Sequence, residues 1–75
     1  MLTLALVNPT HRFQVLGGAN IQDAITQASI NSRSHNATTE FIFNGVLVIV
    51  EPASHPEKVL QAWNTRDNFT KQVGP

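Results

Sequence analysis

The sequence predicts a small α+β domain, a mainly antiparallel sheet with two helices in the order ββαββα, and three observations carry that expectation. Two β-rich runs, Thr38–Phe43 and Val46–Val50, flank the dipeptide Asn44-Gly45. Such a pair separated by Asn-Gly is the sequence form of a hairpin with a two-residue turn, because both central positions need positive φ. Ile21, Ala24, Ile25 and Ala28 recur at the three-four spacing that lines one face of a helix. A second helical pattern, Val59, Leu60, Ala62 and Trp63, follows the start signal Ser54-His55-Pro56-Glu57.

Taken in order, Leu2, Leu4 and Leu6 alternate with Thr3, Ala5 and Val7, the period-two pattern of a strand. Asn8-Pro9-Thr10 breaks it, since proline fixes φ and Asn-Pro favours a turn. Arg12–Leu16 resumes alternation, with Phe13 and Val15 on one side and Arg12 and Gln14 on the other, and predicts a second short strand hairpinned to the first. If that run is loop, the order becomes βαββα. Gly17-Gly18 ends it, and Asn20 is a good N-cap for the helix beginning at Ile21. Asp23 in the first turn suits the helix dipole. Serine and asparagine compete with helical hydrogen bonds, so the helix is expected to fade within Ser29–Ser34. In the second helix, Ser54 and Glu57 stand at capping-box spacing, and Phe69 extends its apolar side beyond a break near Thr65–Asn68. The last residues are expected to fray. A strand-turn-strand-helix pattern occurring twice, at about residues 2–34 and 38–70, reads as architecture and not as a sequence repeat.

Composition narrows the function classes. A chain of 75 residues makes one domain, and a domain of this size buries only about 60–65% of the surface its unfolded form exposes. A marginal core of this kind needs a staple or a partner. Cysteine is absent, which removes disulfides, thiolate metal sites and cysteine nucleophiles, and suits a reducing compartment. Five Lys/Arg balance five Asp/Glu, and only 13% of residues are charged. Nucleic-acid binding requires clustered positive charge, whereas Arg12, Arg33, Lys58, Arg66 and Lys71 are dispersed. The apolar stretch Met1–Val7 is too short to span a bilayer and has no basic leader, so the expected setting is cytoplasmic. The triplets Asn36-Ala37-Thr38 and Asn68-Phe69-Thr70 have the form of glycosylation sites, which matter only in a secreted protein. A short, cysteine-free, weakly charged chain is compatible with a phage or bacterial accessory protein.

Catalytic signatures are missing. His11, His35 and His55 lie some twenty residues apart, each beside a turn signal and none with a carboxylate at ligand spacing, which predicts solvated loop histidines, no metal and no cofactor. The serines lack a glycine-flanked elbow or an identifiable base. Glu40 and Glu51 can approach across the hairpin, but paired strands bring exposed carboxylates together as a matter of topology. No enzyme is expected. Trp63, beside Val59 and Leu60, reads as a core anchor more readily than as an interface residue.

The hairpin supplies the functional argument. A two-residue turn sets Phe43 opposite Val46, Ile42 opposite Leu47, Phe41 opposite Val48 and Glu40 opposite Ile49. Phe41, Phe43, Val46, Val48 and Val50 then share one sheet face, and Ile42, Leu47 and Ile49 share the other. Both faces are apolar, although an antiparallel sheet in a small monomer usually keeps one face polar. If both helices pack on the phenylalanine side, Ile42, Leu47 and Ile49 form an interface for a second copy or for another protein on which this chain acts as inhibitor or adaptor. A helix on each side would need no partner. An alternative from another class is a small-ligand binder, in which Arg12 and the turn residues Gly17, Gly18 and Asn20, or a dimer cleft, hold an anionic metabolite or nucleotide against backbone amides at a helix start.

Overall fold

A computed structural model of the chain describes residues 10–15 and 17–74. The strand expected over Leu2–Val7 and the break at Asn8-Pro9 lie outside the described residues. Within them the elements run β1 (Thr10–Arg12), α1 (Ile21–His35), β2 (Thr38–Phe43), β3 (Val46–Val50), α2 (Pro56–Thr65) and β4 (Gln72–Val73). They form a four-stranded sheet in the order β1-β2-β3-β4.

The α+β class holds, but among the described strands only the central pair is antiparallel. β2 and β3 pair in the register set by the turn, with Phe43↔Val46, Ile42↔Leu47, Phe41↔Val48 and Glu40↔Ile49. Asn44 and Gly45 both take positive φ, 50° and 77°, as a type I′ turn demands. β1 joins β2 in parallel (Thr10↔Thr38, Arg12↔Glu40), and β4 joins β3 in parallel (Leu47↔Gln72, Val48↔Val73). The strand expected over Arg12–Leu16 is described over Thr10–Arg12, and its expected hairpin with Leu2–Val7 lies outside the described residues. Phe13 still donates its N–H to the Glu40 carbonyl (3.2 Å). The twofold pattern is also reframed: two strand-helix-strand units meet at the hairpin.

Both helices lie on the same side of the sheet. Ala24, Ile25 and Ala28 of α1 and Val59 and Trp63 of α2 join Phe41, Val46, Val48, Val50 and Val73 in one core. Phe13 packs on Phe41 with ring centres 5.1 Å apart, and Phe43 meets Trp63 edge-to-face at 5.4 Å. Trp63 is therefore the core anchor its spacing predicts. The two crossovers, β1-α1-β2 and β3-α2-β4, step across the sheet in the same direction along strands of opposite sense. With both helices on one face they must be of opposite hand, so one departs from the right-handed rule. That rule follows from the twist of full strands, and β4 is two residues long. Backbone contacts dock it instead: Leu47 N–H donates to the Lys71 carbonyl (2.9 Å), and Gly74 (φ 109°) lies so close to Ile49 that an added Cβ would run into its carbonyl oxygen. The expected fraying at this end is overturned through Val73 by those contacts.

α1 does not fade after Ser29. Ser29 and Ser32 are buried, and Ser32 Oγ lies within reach of the Ala37 and Val50 carbonyls, the latter at 3.3 Å. A serine that would disrupt an exposed helix is here satisfied by tertiary acceptors. The helix ends at Asn36, which takes the left-handed conformation (φ 49°, ψ 49°) and returns its N–H to the Ser32 carbonyl. The capping box expected for α2 is also not made. His55 is the N-cap and offers no side-chain bond, while Ser54 Oγ accepts from the Glu51 N–H (2.9 Å) and Ser54 N–H donates to the Glu51 carbonyl. Ser54 closes the turn between β3 and α2.

Gly45→Val forces a β-branched residue into positive φ and is expected to cost about 1–3 kcal/mol. An unchanged urea midpoint relative to the parent would exclude the type I′ turn as the source of the hairpin register.

Candidate functional site

With α1 and α2 on the inner face, no described helix covers the outer one. Ile42 is 54% exposed. Leu47 and Ile49 are half-buried beside it, in the alternation that leaves Val46, Val48 and Val50 fully inside. The register therefore brings the three predicted interface residues onto one surface. Arg12 stands on the same surface, since it pairs with Glu40, whose neighbour across the hairpin is Ile49. Gln72 lies beside Leu47 on the opposite flank. The face is thus apolar at its centre, with charge along one margin.

That charge is already paired. Arg12 Nη2 and Nε lie 2.7 and 2.8 Å from Glu40 Oε1. The arginine is mostly exposed and the carboxylate mostly covered. With its cation mostly in solvent the pair adds little stability, but it gives the margin a defined positive and negative point. It also engages Arg12 away from the anion-binding role considered for it. Gly17, Gly18 and Asn20 are exposed, with Gly18 at φ 88°. Asn20 Oδ1 accepts from the Asp23 N–H (2.8 Å), and Asn20 Nδ2 donates to the Asp23 carboxylate (3.1 Å). A helix start occupied by its own cap and a carboxylate is a poor place for a further anion.

The histidines depart from the sequence expectation. His11 is on β1 and His35 is the last residue of α1, so neither is a loop residue. Their rings meet with centres 5.3 Å apart. Sequence spacing held no signal of this, because the parallel pairing of β1 with β2 creates the contact. Only His55 remains apart, at the start of α2. Among the described residues no group of three or more His, Asp or Glu side chains converges as a metal site.

Phe69 does not extend the apolar side of α2. It is 87% exposed, on a loop built at both ends. Arg66 stacks over Trp63 (3.6 Å to the ring centre) and donates to its carbonyl (2.7 Å). Asp67 Oδ1 accepts from the Phe69 N–H (2.9 Å) and from Thr70 Oγ1 (3.0 Å). These two donors, the Phe69 amide first, hold the Asp67 carboxyl below its ordinary pKa.

No described helix is long and apolar enough to cross a membrane. Comparison with family models, with curated proteins and with solved structures returns no match. The functional reading therefore rests on the geometry of this chain.

The lowered Asp67 pKa carries a sign that can be tested. Its contribution to stability is present above the unfolded value, near 3.9, and is lost as pH falls through the lower folded value. Asp67→Ala is expected to be less stable than the parent at pH 7, with the difference closing as pH drops below the usual carboxylate range. Equal differences at pH 7 and at pH 2.5 would show that the ionised carboxylate is not what holds the loop.

Proposed function

We propose that this chain is a small non-enzymatic binding and assembly protein that associates through the outer face of its sheet, with a second copy as its partner. The observation that supports this most directly is the placement of both helices on the inner face, which leaves Ile42, Leu47 and Ile49 with no described helix over them. A core this small gains from any further apolar burial. The Arg12–Glu40 margin suits a like partner, because a twofold contact that set the two margins side by side would place each positive point by the other copy's negative one. Stable interfaces bury about 1,200–2,000 Å² in total, so the contact must run beyond the three apolar residues to include that margin and Gln72. The absence of cysteine supports a cytoplasmic setting as part of the same reading.

The anionic-ligand alternative draws no comparable support, since Arg12 is paired with Glu40 and the α1 start holds Asn20 and Asp23. An adaptor or inhibitor role on a different protein would use the same surface and differs only in the occupant.

Leu47→Glu is expected to weaken self-association by about 2 kcal/mol or more, roughly thirtyfold in Kd, because a charge in an apolar contact must be desolvated without a partner. Gln61→Glu, on the exposed side of α2, should leave it unchanged. Sedimentation equilibrium on the parent and both variants decides. A folded parent that stays monomeric at high concentration overturns the homodimer and leaves the adaptor form, and equal weakening by both variants would remove the sheet face from the interface.

A further inference from the structure

His11 and His35 come from elements far apart in sequence, yet they meet in the fold with ring centres 5.3 Å apart and planes inclined at 60°. Two imidazoles bound side by side to one ion place their ring centres about 4.5 Å apart at a right angle and about 5 Å apart at a tetrahedral one, given metal–nitrogen bonds of about 2 Å. Between the two elements sits Asn31, one helical turn before His35 and so on the same side of α1. Its amide lies 3.1 Å from His11 Nδ1 and 2.9 Å from Thr39 Oγ1. Thr39 is fully buried, which anchors that amide.

The geometry points to a two-histidine site for a divalent transition ion, Cu²⁺ before Ni²⁺ or Zn²⁺, held between His11 and His35 with water completing the coordination. Both Asn31 contacts are made by one end of the amide, and exchanging its oxygen and nitrogen preserves both. With the oxygen there, it accepts from His11 Nδ1–H and from the Thr39 hydroxyl, leaving His11 Nε2 unprotonated for the metal. A fixed acceptor behind a ligating histidine is the usual means of setting its tautomer, and Asn31, held by the buried Thr39 hydroxyl, is the positioning residue here. The α1 C-terminus adds a second favourable term. His35 lies in the last turn, where the unpaired carbonyls of a 15-residue helix attract a cation. Arg12, the nearest cation in sequence to His11, is neutralised by Glu40, and Arg33 is directed to the Ser54 carbonyl (3.3 Å). Imidazole ligands suit Cu²⁺, Ni²⁺ and Zn²⁺, with Cu²⁺ bound most tightly. A bound ion would clasp β1, three residues at the edge of the described sheet, to the end of α1. The site is independent of the outer sheet face and stands or falls apart from the dimer.

The test is calorimetric titration of the untagged chain with Cu²⁺ and with Zn²⁺, alongside His11→Gln, His35→Gln and His55→Gln. One ion per chain is expected, weakened tenfold or more by either of the first two changes and unaffected by the third. Imidazole ¹⁵N spectra with Zn²⁺ should show His11 bound through Nε2 with Nδ1 protonated. Asn31→Asp, which can only accept, should retain that tautomer and the affinity, whereas Asn31→Leu should lose both. If a substitution unfolds the chain, the parent spectra decide alone by showing which rings shift. Absence of saturable binding, one ion per two chains, or binding indifferent to His11 and His35 overturns the proposal.

Discussion

A slip of one residue by β3 against β2 would carry Val46, Val48 and Val50 out of the core and Leu47 and Ile49 into it. Everything else in the fold presupposes that this does not happen. Phe41 and Val48 oppose each other and are fully buried, and Ile25 and Val59 reach them from the two helices. A two-residue turn admits one register, and Asn44-Gly45 is the pair that adopts it without strain. The hairpin is the only antiparallel pairing among the described strands. The strands that flank it are too short to hold a register by themselves.

Because both helices lie on one side, the sheet has two unlike faces. On the inner side, aromatic packing is continuous from Phe13 through Phe41, and from Phe43 to Trp63 with Arg66 over its ring. On the outer side, aliphatic residues of the same strands are half-covered and bordered by one ion pair. The asymmetry explains how a weakly charged chain can carry large apolar residues at successive strand positions. Half of them make the core, and the others lie on the outer face, over which no described helix packs.

Polar groups inside the molecule are matched by tertiary partners. Ser32 reaches the Val50 carbonyl across the helix–sheet interface, Asn31 joins β1 to β2 through His11 and Thr39, and Arg33 reaches the turn before α2. Among the described residues no buried side-chain nitrogen or oxygen is left without a partner. Since an unpaired buried group costs about 1–3 kcal/mol, these bonds fix where the elements dock as firmly as the apolar contacts do.

The sequence by itself determined the hairpin, its register, the α1 face, the Val59 and Trp63 side of α2 (though not Ala62, which is exposed), the Asn20 cap and the division of the strand residues between two faces. Each of these follows from neighbours within a few positions: a turn that needs positive φ, a period of two or of 3.6, a side chain able to reach the next turn. Tertiary structure decided what depends on distant partners. The parallel docking of β1 and β4, the persistence of α1 through Ser29 and Ser32, the use of Ser54 in a turn and the meeting of His11 with His35 all arise between segments far apart in the chain. So does the choice of one sheet face for both helices, since either apolar face offered a helix the same local signal and only the joint packing of Phe41, Val48, Val59 and Trp63 separated them.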